Sequence, residues 1–199
     1  MSTPFSPLVS GFVVLPHQDI DTDQILPARF MSTTSSHGLG DALFFDSRHD
    51  LQGNPNPGHV LNNLDVTSHQ ILIAGANFGC GSSREHAVWA LHEFGIKAVI
   101  APKVADIFKA NALNNGMLVV EVSGDLWEWL AEHPSVEIRL DLERQVIELP
   151  GWEPWKFEVD AFARHCLLNG TDRLGYLLDL LPEIKKFEAQ REAFTSPPR

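Results

Sequence analysis

Between residues 69 and 133 the chain alternates short apolar runs with amphipathic stretches, and this alternation constrains the fold more than any other feature. The apolar runs have the length of buried strands, and the stretches between them repeat their apolar residues at helical spacing. Strands are predicted at 69–74, 97–101 and 117–122, and helices at 84–94, 104–113 and 125–133. Strands and helices in this order form a parallel sheet with right-handed crossovers. The sequence therefore predicts an α/β fold with a parallel β-α-β core.

The segments on either side of this core are less regular. Before it, we predict a strand at 11–15, an extended or turn-like segment at 19–30, a mobile loop at 32–40, a short helix at 41–48 and a second loop at 50–64. After it, we predict a β-hairpin of strands 136–142 and 145–149, a strand at 156–159, and C-terminal helices at 160–168 and 181–194. The long irregular insertion before the core is of the kind that often serves as a lid or binding loop. No linker divides the chain, so we expect one domain over residues 1–199, with 195–199 as a disordered tail.

The charge balance restricts the partners. The 199 residues include 26 acidic and 15 basic side chains, a formal net charge of −11. A field of this sign repels phosphate backbones, so we expect no nucleic-acid partner. No stretch approaches the roughly 20 apolar residues of a membrane helix, and the first ten residues do not form a secretory signal. We therefore expect a cytoplasmic protein that does not contact a membrane.

The run Asn-Phe-Gly-Cys-Gly-Ser-Ser-Arg-Glu-His at 77–86 joins the first strand of the core to its first helix. A glycine-bearing turn here brings the Ser82 and Ser83 hydroxyls and the Arg84 guanidinium to a helix N-terminus. Helix N-termini attract anions because their backbone N–H groups are unpaired and the helix dipole is positive there. Arg84 adds a planar fork of donors that suits a carboxylate.

Other interpretations of this run remain open or fail on spacing. Ser82 and Glu85 have the spacing of a capping box, in which the serine only closes the helix end. The run is not the G-x-S-x-G elbow of esterases, and it lacks the Gly-Lys-Ser/Thr ending of a P-loop. A small carboxylate is therefore a more natural ligand than a nucleotide.

Three aspartates, Asp19, Asp21 and Asp23, alternate along the predicted extended segment and would share one side of it. A calcium loop is excluded because that template needs Gly at the sixth position and Glu at the twelfth, where this chain has Gln24 and Phe30. The aspartates either line a site or bond to nearby backbone N–H groups in a turn. We expect the nearby cations, Arg29 and Arg48, to form surface ion pairs.

The two cysteines do not form a disulfide framework, which fits a reducing compartment. We interpret Cys80 as a small thiol that fills the turn and Cys166 as a core residue. Two cysteines this far apart cannot hold an iron–sulfur cluster by themselves, and no pair has zinc-ligand spacing. We therefore expect no metal or cofactor on this chain, and a structural role for His86.

Five segments together resemble the small subunits of 3-isopropylmalate dehydratase. They are 21–30 (DTDQILPARF), 77–87 (NFGCGSSREHA), 100–102 (IAP), 105–108 (ADIF) and 160–166 (DAFARHC). The G-S-S-R-E-H core is shared with aconitases in general, and the longer strings are typical of the isopropylmalate branch. The resemblance extends from about residue 5 to 194.

The resemblance implies a swivelling β/β/α domain that works with a separate large subunit carrying a [4Fe–4S] cluster. It implies that the pair interconverts 2-isopropylmalate and 3-isopropylmalate, by dehydration and rehydration, in leucine biosynthesis. By position, Ser82 matches the general base, and Ser83 and Arg84 match contacts to the carboxylates of the substrate. Thr22 and Asp23 match a second segment that lines the site, and Arg29 is the candidate for a further substrate arginine.

Three alternatives remain open at this point. The chain could belong to a related hydratase that acts on citraconate (2-methylmalate), or to one that acts on homoaconitate. It could also be a non-catalytic module that binds a carboxylate or supports assembly, in which case Ser82 is only a helix cap.

Overall fold

The computed structural model describes residues 3–31 and 38–195. Seven strands form one mixed sheet in the order β4-β3-β2-β1-β5-β6-β7. Four parallel strands form one half: β1 (Leu8–Leu15), β2 (His69–Ala74), β3 (Ala98–Ala101) and β4 (Leu118–Glu121). The antiparallel half consists of β5 (Ile138–Asp141), β6 (Val146–Glu148) and β7 (Trp155–Lys156), and β5 pairs with β1. The predicted α/β class, parallel core and hairpin are confirmed.

The parallel strands have apolar side chains on both faces, as expected for a sheet covered by helices on each side. In register, Val13 pairs with Leu72, Leu72 with Val99 and Val99 with Val119, and all four side chains belong to one hydrophobic cluster. The residues that precede these four in their strands also pair in register, and they belong to the cluster on the other face of the sheet: Phe12, Ile71, Ala98 and Leu118. Successive side chains point to opposite faces of the sheet, and both faces are buried, so apolar residues occupy consecutive positions in these strands.

Helices of the core segment cover these two faces. The helices α3 (Glu85–Phe94) and α4 (Asp106–Asn114) contribute Ala87, Leu91 and Phe108 to the first cluster. The helix α5 (Gly124–Glu132) contributes Leu126 and Leu130 to the second, together with Leu167 of α6 (Ala161–Asn169). Two further helices, α7 (Arg173–Asp179) and α8 (Leu181–Thr195), complete the C-terminal region.

The segment before the core differs most from the prediction. The stretch 19–30, predicted to be extended or turn-like, contains the short helix α1 (Thr22–Ile25) and a 3₁₀ turn at Ala28–Phe30, which agrees with the turn-like alternative and not with the extended one. A reciprocal capping box starts α1: the Asp21 carboxylate accepts from the Gln24 backbone N–H at 2.7 Å, and the Gln24 side chain accepts from the Asp21 N–H at 3.0 Å. Two orphan donors are satisfied in this way, which stabilises so short a helix.

Several other boundaries also change. The predicted helix at 41–48 is only α2 (Phe45–Arg48), the second loop includes a 3₁₀ turn at Val60–Asn63, and the strand at 156–159 is reduced to β7. The predicted mobile loop lies mainly outside the described residues. Its last residues, 38–40, are held by three backbone N–H groups that donate to the Glu93 carboxylate of α3 at 2.6–2.9 Å. Of the predicted tail, residue 195 ends α8 and residues 196–199 lie outside the described part.

Candidate active site

Two segments meet at the carboxyl ends of β1 and β2. The chain after β1 runs parallel to the chain after β2, with an isolated bridge between Asp21 and Cys80. Backbone hydrogen bonds join the segments at three points: Asp19 N to Ala76 O (2.9 Å), Gly79 N to Ile20 O (2.8 Å) and Thr22 N to Cys80 O (2.9 Å). The carboxyl edge of a parallel sheet is where ligands bind in open α/β folds.

The turn after β2 has a backbone that restricts its sequence. Asn77, Gly79 and Gly81 all have positive φ, at 60°, 75° and 93°. A Cβ atom on Gly79 would lie 2.3 Å from Cγ of Phe108, so a side chain cannot fit at this position without movement of α4. Phe78 is completely buried, and its ring meets that of Phe108 edge-on at 5.3 Å. The turn is therefore fixed by a tight contact with α4.

The Glu121 carboxylate, at the end of β4, is connected to the turn through residues 103 and 104. The Phe78 N–H donates to Lys103 O at 3.3 Å, and the Val104 N–H donates to the Glu121 side chain at 3.0 Å. Lys109 and Lys103 also reach this carboxylate, at 2.8 and 3.1 Å. Burial alone would raise the pKa of Glu121, but the hydrogen bonds from Lys109, Val104 and Lys103 prevail and lower it from 4.5 to about 2. Glu121 is therefore ionised at neutral pH and holds the segment that pairs with the turn.

Ser82 faces the segment after β1. The Thr22 hydroxyl donates to the Ser82 backbone oxygen at 3.2 Å and lies 3.3 Å from the Ser82 hydroxyl. Thr22 is almost completely buried, whereas Ser82 and Ser83 are exposed. The buried threonine thus orients an exposed serine that a ligand can reach.

Ser82 does not cap α3. The helix begins at Glu85, its N-cap residue is Arg84, and no side chain accepts a hydrogen bond at that cap. The capping-box interpretation of Ser82 and Glu85 is therefore wrong, because the tertiary contact with Thr22 replaces the local one. The first-turn N–H groups of α3 remain directed toward the end of the helix at which Ser82, Ser83 and Arg84 lie.

Arg84 forms an ion pair with Asp23 of α1 through Nη1 and Oδ1. The side chains are 24% and 54% exposed, so the arginine is the more enclosed partner. The structure thus brings four of the predicted site residues together, Thr22, Asp23, Ser82 and Arg84, with Ser83 next in the chain.

The three aspartates do not share one side of a strand, contrary to the prediction. Asp19 has a left-handed backbone with φ of 56° and accepts from the Asn77 side chain at 2.8 Å. Asp21 is the N-cap of α1, which agrees with the alternative of a turn-forming aspartate, and Asp23 pairs with Arg84. Each carboxylate has its own partner, so the segment is not a cluster of ligands.

Among the described residues, Arg29 pairs with Asp46 and not with the turn that carries Ser82 or with α1. Its guanidinium donates to both oxygens of Asp46, with Nη1 at 3.0 Å from Oδ2, and lies 4.7 Å from the Phe30 ring centroid. The hydrogen bond raises the pKa of Arg29 and lowers the pKa of Asp46. The expected surface ion pair of Arg29 is confirmed, whereas its contact with substrate remains a hypothesis.

Arg48 was expected to form a surface ion pair, and this expectation is wrong. Arg48 instead donates to the Leu43 carbonyl at 3.0 Å and to the Asn62 side chain at 2.8 Å, and it packs over the Phe94 ring. Burial lowers its pKa. Arg48 therefore serves to hold the segment after α2 together.

The cysteines do not offer a reactive thiolate. Cys80 is half-buried and its thiol donates to Asp19 O at 3.5 Å. Burial, with a smaller effect of the Asp21 and Asp19 carboxylates, raises the pKa of the Cys80 thiol. Burial also raises the pKa of Cys166, which is a core residue as predicted. Low-pKa thiolates are the nucleophiles and ligands, so both thiols are poorly suited to either task.

The donors in the described part of the chain do not fit a metal cluster. Within residues 3–31 and 38–195, no three His, Cys, Asp or Glu side chains lie close enough together to hold a metal ion. His86 packs against Trp89, with ring centroids 4.6 Å apart. No helix of the described part of the chain is both long and apolar enough to cross a membrane.

An open cleft of about 880 Å³ adjoins the site on the α1 side. Its lining includes Asp21, Asp23 and Asp46, and it does not include Ser82 or Arg84. Three carboxylates would repel a dicarboxylate ligand. An anionic ligand is therefore better accommodated on the Ser83 and Arg84 side than in this cleft.

Two of the contacts that build the site were not predicted from the sequence: the capping box of α1 and the ion pair between Asp23 and Arg84. The capping box of α1 has a signal, since Asp21-x-x-Gln24 follows the capping-box spacing. The pairing of Asp23 with Arg84 has none, because the two residues are 61 positions apart in the chain.

The fold and the site agree with the comparisons with known proteins. Residues 9–125 match the aconitase C-terminal domain family, which is more than half of the chain. The chain therefore belongs to the aconitase C-terminal domain family. Within it, the chain belongs to the 3-isopropylmalate dehydratase small subunits, as the sequence resemblance implied.

The relatives cover nearly all of the chain. It is 48% identical to the 3-isopropylmalate dehydratase small subunit of Anaeromyxobacter dehalogenans, over 94% of this chain and 98% of the relative. It is 46% identical to the small subunit of Roseiflexus castenholzii, over 94% of this chain and 93% of the relative. A solved structure of 3-isopropylmalate dehydratase from Methanocaldococcus jannaschii is similar, with a TM-score of 0.65, 26% identity, and coverage of 94% of this chain and 99% of that one.

Proposed function

We propose that this chain supplies the proton-transfer half of an active site that interconverts 2-isopropylmalate and 3-isopropylmalate. The observation that carries the proposal is the exposed Ser82 hydroxyl, held 3.3 Å from the Thr22 hydroxyl in a turn that ends at Arg84. The family assignment supports the substrate and the place of the reaction in leucine biosynthesis.

The reaction removes a proton from a carbon next to a carboxylate and expels hydroxide from the neighbouring carbon. Ser82 accepts that proton on Oγ and returns it to the dehydrated intermediate when water adds back. A serine hydroxyl is a weak acid, so its alkoxide needs stabilisation by fixed donors. We assign this role to the Arg84 guanidinium and the N-terminal N–H groups of α3, and the Thr22 hydroxyl joins them when its single proton turns from Ser82 O to Oγ.

Arg84 and Ser83 bind a carboxylate of the substrate. A guanidinium binds carboxylates in a planar, bidentate manner, which fixes orientation as well as charge. Negative charge builds up on the substrate carboxylate as the proton leaves, so Arg84 also favours this step. Arg29 is proposed as a further carboxylate contact, which requires its guanidinium to leave or share Asp46.

The partner is a large subunit, since the name small subunit implies one. Since the donors of the described residues do not fit a cluster, we assign the [4Fe–4S] cluster to that partner, where it would supply a Lewis acid. We also propose a cytoplasmic location and no nucleic-acid partner, in keeping with the net charge of −11.

Replacement of Ser82 by Ala in the complex with the large subunit tests the role of this residue. We expect isomerisation to fall by at least about a hundredfold, the range typical of lost acid–base catalysis, with little change in stability. Ser123→Ala is the matched control, because Ser123 is a serine that does cap a helix, α5, by accepting from the Leu126 N–H at 3.4 Å.

The control variant should lose about 1 kcal/mol of stability and keep its activity. The opposite pattern, an active Ser82→Ala complex with reduced stability, would show that the role of Ser82 is structural only. Comparison of kcat/KM for isopropylmalate, citraconate and homoaconitate in the wild-type complex tests the substrate, and a preference for either of the last two would overturn the leucine assignment.

A further inference from the structure

The ion pair between Asp23 and Arg84 points to a role for Asp23 that differs from direct contact with the substrate. Resting on the function proposed above, we propose that Asp23 is a positioning residue: it holds the Arg84 guanidinium so that its remaining donors face the substrate carboxylate. Asp23 then acts on the reaction only through Arg84.

The charges argue against a direct contact between Asp23 and the substrate. Both are anionic, and two carboxylates that share a site disfavour each other's ionised forms. The contact with Asp23 uses only Nη1 of Arg84, and Nη2 and Nε have no partner among the described residues. A guanidinium has five N–H donors in a rigid plane, so fixing one edge also fixes the direction of the others.

The location of Asp23 suits a rigid support. It follows Thr22 in α1, and the capping box of Asp21 and Gln24 fixes the start of that helix. Thr22 contacts Ser82 in the same turn that carries Arg84. One four-residue helix thus contacts both the proposed base and the proposed carboxylate clamp, and it sets their separation.

A competing model uses the same ion pair differently. Asp23 could occupy the carboxylate position of Arg84 until the substrate displaces it. The two models predict opposite changes in KM. Loss of a competitor lowers KM, whereas loss of a positioning residue raises it, because Arg84 is then free to adopt other rotamers.

The experiment measures kcat and KM for 3-isopropylmalate with Asp23→Ala and Asp23→Asn, each assembled with the large subunit. Asparagine keeps an oxygen that can accept from Nη1, so we expect it to preserve most of the function. For alanine we expect KM to rise at least about tenfold, with a smaller fall in kcat, since misplacement of about 1 Å can cost a hundredfold. Glu148→Ala is the matched control, because Glu148 pairs with Arg144 in the hairpin, and it should leave both constants unchanged.

A double variant shows whether Asp23 acts through Arg84. Asp23→Ala should add little to the loss caused by Arg84→Ala, since residues that act as one unit are not additive. An unchanged or lowered KM in Asp23→Ala would overturn the proposal, as would equal losses in the Ala and Asn variants. If Asp23→Ala fails to assemble, the Asn variant decides: wild-type constants support positioning, and a tenfold loss contradicts it.

Ser82→Ala in the same assay separates this proposal from the proposed function. An inactive Ser82→Ala complex beside an Asp23→Ala complex with wild-type constants would reject only the positioning role. An active Ser82→Ala complex would reject the proposed mechanism itself.

Discussion

At the scale of a single residue, Gly79 is required by the geometry of the turn that forms the site. Its backbone is left-handed with φ of 75°, and the space where a Cβ would lie is filled by Phe108. Two independent constraints therefore require glycine, and both act on the turn that carries Ser82 and Arg84.

Gly79→Ala should destabilise the protein by about 1–3 kcal/mol, because it forces an unfavourable φ and crowds α4. Chemical unfolding of the variant and of wild type measures this difference. Gly124→Ala serves as the control: Gly124 is the first residue of α5, and a Cβ there has no neighbour within 4 Å. A Gly79→Ala variant as stable as the control would contradict this account of the turn.

At the scale of elements, the site depends on three segments that leave the carboxyl ends of parallel strands and then hydrogen bond to one another. The segment after β1 pairs with the one after β2, which in turn pairs with residues 103–105 after β3. Glu121, at the end of β4, stabilises this last segment through the Val104 N–H and two lysines.

Glu121 should therefore contribute stability that depends on pH. Its folded pKa of about 2 lies below its ordinary value of 4.5, so the ionised form stabilises the fold above about pH 4.5 and this contribution is lost as the pH falls toward 2. The shift corresponds to about 3 kcal/mol at neutral pH.

Measurement of unfolding free energy against pH for wild type and Glu121→Gln tests this prediction. The difference between them should be large at pH 7 and should shrink between about pH 4.5 and 2. A difference that does not change with pH would show that the charge of Glu121 is not what stabilises the segment.

The elements differ in how far the sequence predicts them. The parallel strands were predictable as continuous apolar runs, α3 to α5 because each is long enough for its helical apolar period to show, and β5 and β6 because their residues alternate. The helix α1 has four residues, too few for periodicity, so only its capping pattern could have indicated it. Tertiary contacts decided the rest: Ser82 has the spacing of a cap, but Thr22, 60 positions away, determines what its hydroxyl contacts.

At the scale of the whole molecule, the proposed function places half of a reaction centre on an acidic chain. The proposed base, Ser82, and the proposed carboxylate clamp, Arg84, lie together at one sheet edge, while the donors of the described residues do not fit a cluster. We therefore expect the chain to turn over substrate only when it is assembled with a large subunit, the partner that the small-subunit name of its relatives implies.

The central claim is that Ser82 Oγ takes the proton from the substrate. Incubation of 3-isopropylmalate with the assembled complex in D₂O measures this step directly, since the proton taken up by Ser82 exchanges with solvent while the dehydrated intermediate is bound, and Ser82 then returns deuterium to the substrate carbon. We predict deuterium incorporation with the wild-type complex and none above background with Ser82→Ala. Incorporation at the wild-type rate in an assembled Ser82→Ala complex would contradict the account.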